Sequence, residues 1–392
     1  MPWHLVSTMD ARVQFVADHQ REIFSMTELC RRHGISRQTG YETIARYRKY
    51  GPAGLAPQSR RPEHCPTATG DEPVKLIVAL RKRHPSFGPK KLLRVLRRRH
   101  RRSDWPAAST VALILKRQGL VAERRVRAQH PPAPLVPRIV PARANDLWSV
   151  DFKGQFRTRD GRYCYPLTIA DRFSRYLLDC YGMLAPSEQG TFARFRRVFA
   201  TFGLPLAIRS DNGAPFASTA LAGLSHLSVW WLRLGIRLDR IRRGHPEENG
   251  GHEYVHRVLK RDAARPPAAT CARQQARFEQ FRQTYNHVRP HEALGQVVPA
   301  DLYRPSPRSL PTRLLAIEYP GHFEVRRVTE GGSFSWHGHA VFLTHVLSGE
   351  PIGLEEVDDG IWTVYFCHQP IGRFDERTKH VTETHERCGS HA

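Results

Sequence analysis

The sequence predicts a multidomain chain: all-α helix-turn-helix units at the N-terminus, a central α/β core and a C-terminal small β-barrel or sandwich. Three patterns predict it. Two stretches of basic, helix-patterned sequence occupy 1–125. Strand-like segments, then alternating helix and strand, fill 145–305. Short strands at close spacing fill 310–392. At 392 residues the chain is also too long for one ordinary core.

Charge points to the partner. The chain is 40% hydrophobic and 25% charged, as soluble proteins commonly are, yet its formal net charge is +24. Such a field draws polyanions, of which nucleic acid is the commonest. Charge alone would equally fit ribosomal association or an acidic membrane surface. Its placement is uneven: residues 1–144 hold 29 Lys+Arg against 10 Asp+Glu, 145–305 hold 24 against 15, and 306–392 hold 8 against 12. The N-terminal third is therefore the main candidate for phosphate binding.

Within 1–56, Ser25 and Glu28 have capping-box spacing and open one helix. The turn His33-Gly34-Ile35 leads to Ser36, which caps a second helix closed by Gly51-Pro52. Helix, Gly-containing turn, helix is the pattern that places a recognition helix in the major groove. Arg37, Gln38, Thr39 and Tyr41 would then reach base edges. An ordinary helical hairpin that binds nothing has the same pattern. Residues 52–70 read as a linker. Residues 71–125 form a second such unit, in which Pro89 starts a helix with a dense basic face. Lys90, Lys91, Arg97 and Arg98 are its candidate phosphate contacts, against the alternative of a solvated charged face. The Pro-rich segment 126–144 reads as a semi-rigid linker that separates both units from the core.

The seven cysteines are scattered, odd in number and never spaced C-x-x-C. This argues against a disulfide framework and a cysteine-based zinc site, and fits the cytoplasm. No signal peptide, no apolar run long enough to span a membrane and no G-x-x-x-x-G-K-[ST] loop for ATP is present in the sequence. His245, His252 and His256 cluster, but without a cysteine partner they read as surface or DNA-facing imidazoles rather than zinc ligands.

In the core, Asp151 interrupts an otherwise apolar strand, a costly place for an acid unless it is paired or metal-bound. Asp211 ends the strand LAIRS and is followed by Asn212-Gly213, a turn pair. Glu253 stands at the start of a helix, with Arg257 and Lys260 on the same face. Alone, each acid could be an ion-pair partner, a turn former or a helix-surface charge. Together they suit phosphodiester chemistry, in which two divalent ions need oxygen ligands converging on one point.

Four motifs carry a resemblance: NDLWSVDF at 145–152, RSDNGAPF at 209–216, HPEENGGHE at 245–253 followed by RVLK at 257–260, and YNHVRPHEALG at 285–295. Segment 145–305 resembles the integrase-type catalytic core of bacterial insertion-sequence transposases, which share a ribonuclease-H-like fold with retroviral integrases. The resemblance implies that Asp151, Asp211 and Glu253 hold two Mg²⁺, which Mn²⁺ could replace, with Asp151 bridging both ions. It implies that Lys260 meets DNA and that Asn249 and Gly250 shape the loop before Glu253. It further implies double-stranded DNA partners, both element ends and target, and a homo-oligomer on that DNA. The spacing departs from the family's usual one: 41 residues lie between Asp211 and Glu253. The helical stretch ALAGLSHLSVWWLRLG would hold the extra residues, and Glu247 and Glu248 are the rivals to Glu253. The expected activity is hydrolysis of element ends and joining of the 3′ ends to target DNA. A DNA-binding regulator derived from a transposase, or a metal-dependent nuclease without strand transfer, are the alternatives.

Overall fold

The computed structural model describes residues 7–57, 68–100, 104–121, 139–242, 245, 248 and 250–383. Asn249, Glu247, residues 58–67 of the first expected linker and 126–138 of the second lie outside them. The chain divides into two compact units, 1–68 and 69–392.

The first unit holds α1 (Thr8–Gln20), α2 (Met26–Arg32) and α3 (Arg37–Tyr50). Each begins on a serine. Ser25 Oγ accepts the Glu28 N–H and Ser36 Oγ accepts the Thr39 N–H, which satisfies otherwise orphaned donors. Only the serine half of the capping box expected at Ser25 and Glu28 forms; the full box is made by Ser7 and Asp10 instead. Phe15, Leu29, Cys30 and Ile44 make the core. Gly40 lets α3 approach: a β-carbon there would stand 2.6 Å from Cys30 Sγ. The expected linker starts later than its composition suggests, because Gly51–Leu55 forms a 3₁₀ turn that buries Leu55 beneath α3. Arg37, Gln38, Thr39 and Tyr41 all lie exposed at the start of α3.

The second unit opens with α4 (Asp71–Arg83), α5 (Pro89–Arg99) and α6 (Ala108–Arg117), packed on Ile77, Phe87, Leu92, Leu96, Val111 and Leu115. The core follows: β1 (Leu147–Phe152), β2 (Phe156–Arg157), β3 (Tyr163–Asp171), β4 (Leu177–Met183), α7 (Glu188–Phe202), β5 (Ala207–Ser210), α8 (His226–Arg233), β6 (Arg237–Arg240), α9 (Gly250–Asp262), α10 (Cys271–His287) and α11 (Pro299–Leu302). The sheet runs β4-β3-β1-β5-β6, with short β2 continuing along β3. The first three long strands form the expected antiparallel meander, and β5 and β6 run parallel to β1. Phe195 and Phe199 of α7 cover one face with Trp148 and Trp231; α9 and α10 cover the other through Val255, Leu259, Phe278 and Tyr285.

The longer spacing between Asp211 and Glu253 is occupied by α8. Its Leu227 and Trp231 enter the sheet core, while Val229 and Leu232 enter the core of the C-terminal domain. That domain contains β7 (Glu324–Arg327), β8 (Ser333–Trp336), β9 (His339–Phe342), β10 (Pro351–Asp358), β11 (Ile361–Phe366), β12 (Gln369–Asp375) and β13 (His380–Thr382). A five-stranded antiparallel sheet and the β8–β9 hairpin share one apolar core, where Phe334 and Trp336 meet Phe374.

The second helical set is not held apart from the core. Ser86 Oγ donates to Asp262 at 2.8 Å, Lys91 Nζ donates to the Tyr254 hydroxyl at 3.2 Å and Arg98 pairs with Asp301 at 3.3 Å. A proline-rich composition reports a stiff connection, not whether the modules it joins have complementary surfaces. Among the described residues no helix is long and apolar enough to cross a membrane.

Candidate active site

Two of the three acids are brought together by strand register. The parallel pairing of β1 and β5 sets Leu147 against Ala207 and Ser149 against Arg209. Continued for two residues, it sets Asp151 beside Asp211, about one strand spacing apart. Arg209 fixes the end of β5 through a buried ion pair with Asp239 of β6 at 2.6 Å. Past the strand, the Gly213 N–H donates to Asp211 Oδ1 at 3.2 Å, and Asn212 Nδ2 donates to the Ile241 carbonyl at 2.7 Å. The NDLW motif serves the fold. Asn145 accepts from the Trp148 indole and the Tyr303 hydroxyl, and its backbone N–H donates to Asp171.

The electrostatics match that placement. Burial pushes the Asp151 carboxyl up to about 7, with the charges of Asp211 and Glu253 adding to the rise. Burial likewise raises Asp211. Two raised carboxyls side by side make a place that would favour a cation. Glu253 lies exposed in the first turn of α9, as Arg257 and Lys260 lie exposed further along it. Its rival Glu248 is committed elsewhere, accepting from Arg242 Nε at 2.7 Å and from the Arg242 backbone N–H at 2.8 Å.

A buried polar chain seats α9 on the sheet. His252 is fully buried, with Nδ1 2.8 Å from Ser149 Oγ and Nε2 2.6 Å from Thr168 Oγ1. Thr168, opposite Asp151 in the β1–β3 register, also lies 2.8 Å from His256 Nε2 and donates to the Asp151 carbonyl at 3.2 Å. His256 Nδ1 stands 3.8 Å from Asp151 Oδ2. Keeping the Thr168–Asp151 bond requires both imidazoles to donate from Nε2 to the threonine oxygen. Both rings are held toward the neutral form. Burial accounts for this, holding His256 down to about 4 and His252 well below the ordinary histidine range. The expectation of surface or DNA-facing imidazoles fails for His252 and His256. Their i,i+4 spacing with Val255, Val258 and Leu259 marks the inward face of the helix, a signal overlooked beside the acids.

Thr168→Val should therefore loosen the seat of Glu253. Two buried ring nitrogens would lose their acceptor, at about 1–3 kcal/mol for each unsatisfied group. A lower melting temperature, restored by Thr168→Ser, is the expected result; an unchanged melt for Thr168→Val would show the chain to be incidental.

Tyr254, next to Glu253, is held from both sides. Its hydroxyl accepts from Lys91 at 3.2 Å and from Arg289 at 3.3 Å. Burial works to raise this phenol, but these two cations hold it below its ordinary value. Lys91 is thereby turned into the protein, away from the surface set expected to meet phosphate. Lys90 lies 3.8 Å from Glu292, both exposed, and Arg98 is paired with Asp301, while Arg97 is exposed. Tyr254 and Arg289 were not singled out from the sequence; the motif YNHVRPHEALG contained the only hint, since Asn286 bridges both backbone groups of Leu177 and Arg289 is buried.

An all-oxygen set of Asp151, Asp211 and Glu253 suits a hard divalent cation, although among the described residues no three His, Cys, Asp or Glu side chains are already closed around one point.

Known families match most of these parts, and one match crosses the boundary between the two units. Residues 141–246 and 234–299 match integrase core domain families, 11–63 a helix-turn-helix domain, 39–115 a homeodomain-like domain and 323–382 the IS481 family transposase C-terminal domain. The fold and these domains define an integrase-core protein with helix-turn-helix units. Within that class the chain is similar to two insertion-element proteins, and its C-terminal domain matches that of an insertion-sequence transposase family. It is 29% identical over 193 residues to the insertion element IS407 uncharacterized 31.7 kDa protein of Burkholderia multivorans, a match covering 47% of this chain and 61% of that one. It is 25% identical over 274 residues to the insertion element IS476 uncharacterized 39.2 kDa protein of Xanthomonas euvesicatoria, covering 69% and 75%. The HTLV-2 integrase catalytic core domain in complex with magnesium aligns at a TM-score of 0.34 and 14% identity, over 42% of this chain and 99% of that one.

Proposed function

We propose that the chain binds the terminal repeats of its mobile element in the cytoplasm, cleaves the element ends by metal-dependent hydrolysis and joins the 3′ ends to target DNA. The observation that carries this reading is the parallel register of β1 and β5, which when continued brings Asp151 beside Asp211, with the charges of Asp211 and Glu253 both acting on the Asp151 carboxyl. These three residues would hold two Mg²⁺, or Mn²⁺, which lower the pKa of a bound water and neutralise charge on the phosphate. The protein's own part is to fix the acids. Register sets Asp151 beside Asp211, and the Ser149–His252–Thr168–His256 chain seats the helix that carries Glu253. Arg257, Lys260 and Asn249 would steady the DNA beside them, and a homo-oligomer would bring two ends together. Incubating the protein with labelled element ends, Mg²⁺ and a plasmid should yield joined products. Cleaved ends without joining would favour a nuclease, and binding without cleavage a regulator.

Recognition is assigned to α3, whose first turn presents Arg37, Gln38, Thr39 and Tyr41. The Thr39 hydroxyl lies 2.9 Å from Ser36 Oγ and so shares in the cap, Gln38 Nε2 donates to Glu42 Oε1 at 3.1 Å, and Arg37 lies exposed. Arg37→Ala or Gln38→Ala should each lower the preference for element over scrambled DNA by about 1–3 kcal/mol, because base contacts specify. Parallel titrations that leave the ratio unchanged would remove the residue from the reading surface.

A further inference from the structure

A second cationic site lies away from the three acids. Between the ends of α4 and α5 and the helices α9 and α10 is a cleft of about 510 Å³. Six arginines line it: Arg83, Arg99, Arg261, Arg265, Arg277 and Arg289. Asp262 is the one acid in its wall, and it already accepts from Ser86, Arg261 and Arg289. Arg83, Arg99 and Arg265 have no hydrogen-bond or ion-pair partner among the described residues. Arg289 is 3% exposed, and its Nε is buried without a partner. His84 Nε2 in the same wall is also without one. Cations in the last turns of α4, α5 and α9 answer those helices' dipoles. That reason does not reach Arg265, beyond α9, or Arg277, in the middle of α10, which donates to the Pro266 carbonyl at 2.7 Å.

We propose that this cleft binds the sugar–phosphate edge of one strand of double-stranded DNA, bridging the second helical set and the core. The proposal rests on the DNA-processing reading above and adds where the backbone is gripped. Repulsion supports it: after burial, Arg83, Arg99 and Arg289 all act to lower His84, and Asp262 alone acts to raise it. The cleft has the volume of a small-ligand site, which admits a short run of backbone rather than a whole duplex. Arg261 in its wall lies eight residues, about 12 Å, along α9 from Glu253, with Arg257 and Lys260 between them. Arginine suits phosphate through its planar fork of donors.

The test uses the full chain with Arg83, Arg99 and Arg265 all changed to Gln, since none of them supports the fold through a bond. Element and scrambled duplexes are titrated across salt. The slope of log affinity against log salt should flatten by about 2–3, at about 0.9 for each phosphate no longer neutralised, and to the same extent for both duplexes. Affinity at moderate salt should fall roughly tenfold or more. The same three positions changed to Lys keep the charge and should keep most of the slope. An unchanged slope and affinity in the Gln variant, with a wild-type protein that binds DNA, would overturn the cleft and leave the DNA reading standing. A wild-type chain that ignores duplex DNA but takes up RNA or anionic vesicles would overturn both. A Gln variant whose melting temperature falls is compared at 4 °C with the Lys variant; equal slopes there would also overturn the proposal.

Discussion

Asp151→Asn, Asp211→Asn and Glu253→Gln are each expected to reduce end cleavage on the order of 10³-fold or more while end binding stays within a few-fold. The amides keep the shape of the acids and lose the charge, so the fold and the recognition helix are untouched while the ligand set fails. The three losses should not add, because any one incomplete set already prevents the chemistry. Chelation of the divalent ion should imitate all three variants in the wild type, and Mg²⁺ or Mn²⁺ should restore it. Cleavage assays on labelled ends, run beside gel-shift titrations, check this. Near-normal cleavage by one variant would remove that residue from the site, and full activity in excess chelator would end the metal-dependent reading.

The second large effect is on stability, and its sign is opposite for Asp151. Burial first, then the charges of Asp211 and Glu253, raise its folded carboxyl to about 7. The unfolded carboxyl titrates near 3.9. Between those two values the folded state holds a proton that the unfolded state has lost. Stability from this group is therefore full below the unfolded value, falls as pH rises and is gone above about 7. At pH 8 without metal, Asp151→Asn should stabilise the second unit by up to about 4 kcal/mol. At pH 4 the difference should nearly vanish. Added Mg²⁺ should stabilise the wild type and leave the Asn variant nearly unmoved, because a ligand that binds only the folded state raises its stability. Urea denaturation at the two pH values, with and without Mg²⁺, measures all of this. A less stable Asn variant at pH 8 would show that Asp151 is a structural ion-pair partner instead.

The sequence by itself determined the domain classes of the chain and singled out the acids proposed for its site. Helix caps at Ser25 and Ser36, strand periodicity through LWSVDF and the +24 charge are local or additive properties, legible without coordinates. An acid in an apolar strand is likewise a local anomaly, and Asp151 could be picked out for it. Tertiary structure alone decided what those acids touch. His252 and His256 read as surface residues because a histidine's burial depends on the partner that satisfies it, and Ser149 and Thr168 lie about a hundred residues away or nearly so. Lys91 read as a phosphate ligand because a basic helix looks the same whether it faces solvent or Tyr254. The docking of α4–α6 on the core, and the arginine cleft it creates, come from surfaces that meet across more than 150 residues of chain. Caps and periodicities are set by neighbours in sequence, whereas desolvation and paired charges are set by neighbours in space, which only the folded chain supplies.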